Sequence, residues 1–342
     1  MASLTIGIAG AGLLGRLLAW RLARGGHRVT VFDPAPGPAP RFDGHGAAAF
    51  SAAGMLSPLA ELDNSSAEVA ALGWRSIALW REIVGALTAR PAFSQRGSLL
   101  LAHRNDLGAA QRVLARIASG AGGSPQPLTA SQLLEFEPAL QGAAQAWLLP
   151  DEAQIDPIGT LQALHDEADG ATWHWGRAVA RVLPGALVVG DDVHRFDLVI
   201  DVRGTGAHTD LPVRGVRGET AWLHALGHGL TRPVRLLHPR HRVYLVPRPG
   251  DIVFVGASEI ESDDRSPVSL RSAVELMAAA HSVMPALAEA RVLRLDRNLR
   301  PALPDNEPRT DRAPGLVRIN GLFRHGWLIA PALVEDALKE LA

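Results

Sequence analysis

The chain has 342 residues, 47% of them hydrophobic, which is enough to bury a sizeable core in two domains or in one large α/β domain with an inserted sheet. Thirty-four basic residues against 35 acidic ones leave a formal charge of -1, so no electrostatic footprint for a polyanion exists and nucleic acid is not an expected partner. The lack of cysteine excludes disulfides, thiolate metal sites, a thiol nucleophile and a flavin attached through sulfur, with the cytoplasm as the default compartment.

Residues 4–20 are apolar enough to resemble a signal peptide or a membrane span. They have no basic leader, however, and Gly10, Gly12, Gly15 and Arg16 interrupt them, so they read as a buried strand and helix, and no membrane is expected. The run 4–9 ends at a glycine, 13–24 has helical apolar spacing, and 28–32 is a second β-rich run ending at Asp33. This is a βαβ opening. A Pro/Gly/Ala-rich loop covers 34–46, the segment 47–58 is small and uncharged, and Ser65 with Glu68 predicts a capping box for a helix to about residue 90.

Asp156 and Pro157 read as the cap and first position of a helix to about residue 168. Strands near 172–182, 187–189 and 196–202 are expected to complete the nucleotide sheet. From 213 to 299, short strand-like runs at 242–247, 252–255 and 291–299 surround one helix over 270–283, which predicts an antiparallel substrate sheet. A strand at 316–319, a glycine-containing turn and a helix over 331–341 close the chain. The fold class is therefore α/β: a Rossmann-like nucleotide domain of residues 1–90, 145–212 and 300–342, and a largely antiparallel α+β substrate domain of residues 91–144 and 213–299.

Gly10-Ala11-Gly12-Leu13-Leu14-Gly15 satisfies G-x-G-x-x-G directly after a strand and before a helix. Gly10 allows the tight turn, Gly12 lets a diphosphate approach the backbone, and Gly15 lets the helix pack on the strand. The helix start then offers unpaired N–H groups at Leu13 and Leu14, and Asp33 is placed to accept from ribose hydroxyls. The fingerprint does not separate FAD from NAD. No second one occurs, which argues against a separate nicotinamide domain. Gly204-Thr205-Gly206 after the strand 198–202 reads either as a strand-end turn or as a second dinucleotide contact, the latter through Gly204.

Further along stand Ala48-Ala49-Phe50-Ser51-Ala52-Ala53-Gly54-Met55-Leu56-Ser57-Pro58 with Glu61, then Tyr244-Leu245-Val246-Pro247-Arg248 with Val255-Gly256-Ala257, Leu299-Arg300-Pro301 with Pro304-Asp305, and Asn320-Gly321-Leu322-Phe323-Arg324-His325-Gly326-Trp327-Leu328-Ile329-Ala330-Pro331. In this order and spacing they resemble the glycine oxidase group of the D-amino acid oxidase flavoenzyme superfamily, associated with thiazole formation in thiamine biosynthesis. The resemblance implies non-covalent FAD, with Ala48, Ala49, Ala53, Gly54 and Met55 lining the flavin. It also implies that Arg324, His325, Gly326, Trp327 and Leu328 approach the flavin pyrimidine, and that Val179 meets adenine through its backbone. Small side chains at 48–56 are what a backbone needs when it runs flush against a flat ring. Ala49 replaces the usual serine, Leu322 a histidine of some relatives and His325 an asparagine of some, which leaves glycine, sarcosine, another small amine or a D-amino acid open as substrate.

In the strand 291–299, strict alternation puts Val292, Arg294, Asp296, Asn298 and Arg300 on one face, which points at solvent or at a site. A guanidinium matches a carboxylate bidentately, and the resemblance makes Arg300 the carboxylate anchor. Tyr244, the only tyrosine, either closes over the substrate or meets water at a sheet rim, and Arg324 either approaches substrate and flavin or pairs with a carboxylate. The resemblance thus implies oxidative deamination of a small amine or amino acid to an imine and then an oxo acid, with oxygen reduced to hydrogen peroxide. A D-amino acid dehydrogenase or sarcosine oxidase-like enzyme, and an FAD-binding RNA-modification module, are the alternatives. Expected partners are the small amine and molecular oxygen, with self-association into a homo-oligomer left open. No metal is expected: His174 lies between two tryptophans, and His238 and His241 flank a Pro-Arg turn.

Overall fold

The computed structural model describes residues 3–118, 123–237 and 242–339; His238 and His241 lie outside them. Two large sheets organise the chain. The first has the order Arg309–Ala313, Leu316–Asn320, Leu198–Asp201, Thr5–Ala9, Arg28–Asp33, Ala171–Trp175, all parallel except the terminal hairpin. Its central strands are buried on both faces: Ile6, Ile8, Val29 and Val31 meet helices, whereas Ala9, Phe32, Val199 and Leu316 pack against Val179, Val182, Leu187 and Val189 of a small antiparallel meander. The first helix, Leu13–Arg24, crosses between Thr5–Ala9 and Arg28–Asp33 as the glycine fingerprint predicts.

The second sheet has eight strands in the order Arg291–Ala302, Arg214–His224, Ile252–Gly256, Arg242–Arg248, Val234–Leu237, Ser98–Ala102, Gln145–Leu149, Gln126–Leu128. It is antiparallel except where Val234–Leu237 meets Ser98–Ala102. The helix Leu270–Val283, at its expected bounds, packs Leu276, Ala279, Ala280 and Val283 on one face of this sheet with Ala221, Leu223, Val243 and Val255. The opposite face turns to the first domain.

Several expectations change. Gln145–Leu149 pairs with Ser98–Ala102, so it belongs to the substrate sheet although the expected boundary at 145 placed it with the nucleotide domain. Arg291–Ala302 runs straight through the expected boundary at 299/300. The strand expected over 172–182 breaks at Gly176 into Ala171–Trp175 and Val179–Leu183; only the first joins the nucleotide sheet, and the second folds with Ala186–Val189 and Asp192–Arg195 into a separate meander.

Helix caps shift as well. Ser66, not Ser65, caps the helix Ala67–Ala86 by accepting from Val69 N–H, while the Ser65 hydroxyl donates to the Glu61 carbonyl. Asp156 caps Pro157–Asp166 through the Ile158 and Gly159 N–H groups, as expected. The last helix begins at Gly326, not Pro331, and carries Pro331 in its interior. A mid-helix proline leaves the carbonyl four residues earlier without a donor. Here that carbonyl belongs to Trp327, and the buried Trp80 indole N–H donates to it at 2.7 Å. A side chain from another helix thus supplies what proline removes.

Candidate active site

Between the two sheets lies a cavity of about 1260 Å³. It exceeds the roughly 300–1,000 Å³ of ordinary small-molecule pockets, which leaves room for a dinucleotide with a small second ligand. Gly10, Gly12, Leu13, Leu14, Asp33, Ala48, Ala49, Ala53, Gly54, Met55, Val179, Gly204, Arg324, His325, Gly326, Trp327 and Leu328 all line it, as do Arg300 and Tyr244. Gly15 alone of the expected residues does not. A Cβ there would stand 1.9 Å from the Gly10 carbonyl oxygen, so its role is to let the helix pack on the glycine turn.

The nucleotide end is built from backbone. Gly12 is the N-cap of Leu13–Arg24, with no side-chain cap and no acid in the first turn, and a Cβ on it would meet only Ala47 at 3.8 Å. An uncapped helix start facing open space is an anion cradle. Asp33 holds the turn itself: its two oxygens accept from Ala11 N–H at 2.6 Å and Ala35 N–H at 2.8 Å, fixing the glycine turn, and its remaining lone pairs stay available. The Val179 carbonyl already accepts from Arg203 at 3.3 Å. Gly204 opens the short turn Gly204–Ala207 and its carbonyl is held by Asn320 at 3.0 Å, so it is a strand-end turn and a cavity wall at once.

The segment 48–56 is held flush against the cavity from behind. Gly54 has φ +73, and a Cβ there would lie 2.1 Å from the Ile155 carbonyl oxygen. Arg248, buried on the substrate sheet, donates to the Ala52 carbonyl at 2.6 Å, and the Trp327 indole donates to the Ala49 carbonyl at 3.1 Å. Burial lowers the Arg248 pKa to about 10, with Asp156 opposing the shift. At this end a second uncapped helix start, Gly326–Leu338, faces the cavity, again with no acid in its first turn. Two open helix N-termini on one cavity therefore suit a ligand that carries phosphate at one end and develops negative charge at the other.

The loop 34–47 is strapped down by the substrate domain. Arg297 donates to the Phe42 carbonyl at 3.1 Å, Arg265 to that of Gly44, and Asn298 to that of Gly46 at 3.2 Å, while the Arg294 guanidinium lies 3.4 Å from the Phe42 ring centroid. Arg294 and Asn298, from the polar face expected on Arg291–Ala302, thus grip the cofactor side of the cavity together with Arg297 of the opposite face; Asp296 and Asn298 are buried. Burial also pushes the Asp296 carboxyl up, against its contacts with Ser51 and Arg297.

At the substrate end, Arg300 reaches over Gly218, where a Cβ would sit 2.4 Å from its Nη2, and Tyr244 reaches over Gly256, where a Cβ would sit 2.6 Å from its hydroxyl. Two strand glycines let a long side chain from each neighbour converge. Arg300 donates to the Ser258 carbonyl from Nη1 at 3.1 Å and from Nη2 at 3.2 Å, and no described carboxylate lies within ion-pair distance. Burial lowers its pKa, and neighbouring Tyr244 and Glu259 oppose this only in part.

Arg324 is different. Its Nε lies 3.2 Å from Glu61 Oε2 and its Nη1 3.2 Å from Glu259 Oε2, so of the two expected roles the structure favours carboxylate pairing. Burial disfavours its charge, but Glu61 and Glu259 overcompensate and raise its pKa. Glu61, 6% exposed, also accepts from Arg235 at 2.6 Å and lies 3.3 Å from His325 Nδ1. Burial favours its neutral form, yet Arg324 and Arg235 hold its pKa well below the usual value. Sequence reasoning missed Arg235 and Glu259 altogether and noted Glu61 only as a motif position. Gly218 and Gly256, glycines inside strand patterns, were the one available signal of close side-chain approach.

Among the described residues, no group of three or more His, Asp or Glu could hold a metal, and no helix is long and apolar enough to cross a membrane. The family model DAO, FAD dependent oxidoreductase, matches residues 5–336. A Rhizobium etli protein that bears the name of the thiamine biosynthesis oxidoreductase ThiO is 37% identical over 98% of this chain and 95% of its own. The glycine oxidase of Geobacillus kaustophilus superposes with a TM-score of 0.83 at 23% identity, over 100% of this chain and 95% of that one. The iminodiacetate oxidase of a Chelativorans species does so with a TM-score of 0.79 at 25% identity, over 96% and 93%.

Proposed function

The chain belongs to the DAO family of FAD-dependent oxidoreductases, and from that premise we propose that it oxidises glycine or a similarly small amino acid with a single carboxylate, within thiamine biosynthesis. One observation carries the substrate reading. Of the three guanidinium groups at the substrate end, Arg324 is paired with Glu61 and Glu259 and Arg235 with Glu61, whereas Arg300 meets only neutral partners. A partly buried cation whose nearest carboxylate, Glu259, is bound to Arg324 instead is poorly compensated, and a substrate carboxylate is the natural counter-charge. The name of the Rhizobium etli relative supports the place in thiamine biosynthesis.

In this reading the chemistry that bound FAD would supply is two-electron oxidation of the amine, with oxygen as the final acceptor. The protein's part is binding and orientation. Leu13 and Leu14 N–H groups and Gly10 and Gly12 would hold the diphosphate, Asp33 a ribose, and Val179 adenine. Ala48, Ala49, Ala53, Gly54 and Met55 would line the ring, and His325, Gly326, Trp327 and Leu328 would offer it a helix start. Arg300 fixes the carboxylate bidentately while Tyr244 closes the same pocket, so that the amine carbon faces the ring. Positioning supplies much of the catalysis, and no side-chain base is needed if the amine enters neutral. For glycine the balance is amine, oxygen and water giving glyoxylate, ammonia and hydrogen peroxide.

The test is anaerobic mixing of the yellow holoprotein with glycine, sarcosine and a panel of D-amino acids. Bleaching by glycine or sarcosine, with peroxide formed on admitting air, is expected. A flavin that none of these reduces overturns the reading.

A further inference from the structure

Glu61 ends the short helix Pro58–Glu61 and lies in the cavity wall among groups from three other parts of the chain. Its Oε1 accepts from Arg235 Nη2 at 2.6 Å, and its Oε2 lies 3.2 Å from Arg324 Nε and 3.3 Å from His325 Nδ1. Arg235 stands directly across from Tyr244 in the register of Val234–Leu237 with Arg242–Arg248. Tyr244 in turn neighbours Arg300. The anchor for one carboxylate and the Arg235–Arg324 pair therefore gather around one tyrosine in one cavity, with Arg235 across the strand from Tyr244 and Arg324 a charge neighbour of Arg300 as well. Arg235 Nε is buried without a hydrogen-bond partner, so this guanidinium keeps donor capacity beyond its bond to Glu61.

A carboxylate between two guanidinium groups, facing the space a substrate would fill, occupies the place that a second acidic group of an amine would take. We propose that Glu61 is a specificity-determining residue: it acts as an internal carboxylate that reserves the site for amines with one acidic group and turns away those with two. The physical reason has two parts. Glu61 satisfies cations that would otherwise attract a second anion, and a second substrate carboxylate arriving there would meet a like charge in a buried site. This rests on the reading of the site as one for small amino acids.

The test uses the FAD-loaded wild type and Glu61→Gln, which keeps shape and removes charge. Acetate and malonate, which the flavin cannot oxidise, are titrated by the flavin difference spectrum, and anaerobic flavin reduction is followed with glycine and iminodiacetate. In Glu61→Gln the malonate-to-acetate affinity ratio and the iminodiacetate-to-glycine rate ratio are each expected to rise by at least about tenfold, the scale of removing one buried like-charge contact. Glu61→Asp keeps the charge and must keep the wild-type ratios. If Glu61→Gln does not hold FAD, the double variant Glu61→Gln/Arg235→Gln removes the ion pair without changing net charge, and a smaller rise in the same direction is expected. Unchanged or lower ratios in a flavin-loaded variant overturn the proposal, because the removed charge would then have no part in turning away a dianion. Should no amine reduce the wild-type flavin, the amino acid reading fails, while the acetate and malonate titrations still decide the role of Glu61.

Discussion

The two ends of the cavity recognise by different means. At the nucleotide end the groups that face the ligand are backbone: the uncapped start of Leu13–Arg24, the turn at Gly10 and Gly12, and the segment pressed forward by Gly54. At the substrate end they are long charged or hydroxyl side chains, Arg300, Tyr244, Arg324, Arg235 and Glu61, arriving from separate strands, a turn and a short helix. Backbone recognition fixes a shape common to many dinucleotides, whereas the side chains select a charge pattern. The first end is therefore most sensitive where the backbone itself is constrained, as at Gly54, and the second to a change of charge.

The contrast can be broken most sharply at Gly54. Gly54→Ala forces a side chain into a φ of +73 and against the Ile155 carbonyl, and a non-glycine residue in that region costs roughly 1–3 kcal/mol before the clash is counted. Loss of co-purified flavin absorbance is expected, together with a lower melting temperature; a fully yellow, equally stable variant would refute the backbone account of this end. Arg300→Ala is expected to leave the flavin bound and to lower kcat/KM for glycine by about 100-fold, since a charge-assisted contact contributes about 1.5–3 kcal/mol. Arg300→Lys keeps the charge but loses the fork, and stopped-flow flavin reduction should place it between alanine and the wild type.

Acid unfolding sharpens the same comparison. Glu61 has a folded pKa well below its unfolded value, so the unfolded chain binds the extra proton as pH falls. Its stabilisation is complete above an unfolded pKa of about 4.3 and is lost as pH drops through the folded value. Urea midpoints measured between neutral and acid pH should fall less steeply in Glu61→Gln than in the wild type. The smallest effect belongs to the strap over the nucleotide end. Arg297→Ala removes the bond to the Phe42 carbonyl, and a net contribution of about 0.5–1.5 kcal/mol implies FAD release about two- to tenfold easier, read by flavin fluorescence on dilution.

Legibility follows the same division. G-x-G-x-x-G with Asp33 was readable because its chemistry is local: a turn, a helix start and a strand end lie within a few residues of one another in space and nearly so in sequence. Even there, the second task of Asp33, holding the Ala11 and Ala35 N–H groups, shows only in three dimensions. The alternation that put Arg294, Asp296, Asn298 and Arg300 on one face was correct as a period, but not what that face meets. The sequence left it to solvent or a site, and Arg294 and Asn298 turn out to clasp the loop 34–47. Strand identity was likewise readable before strand partnership. Ala171–Trp175 and Val179–Leu183 look like one run until Gly176 separates them into two sheets.

By itself the sequence determined the glycine turn, the run of small residues at 48–56, the apolar parallel strands and the alternation that carries Arg300, because each depends on spacing within one element; the flavin and carboxylate roles expected of them came from the family resemblance. Only the tertiary structure decided that Arg324 is already paired, that Arg235 stands across from Tyr244, and that Glu61 lies between the two arginines. Ion pairing inside a cavity is a matter of distances of a few ångströms between residues up to 263 positions apart, and no local pattern encodes them.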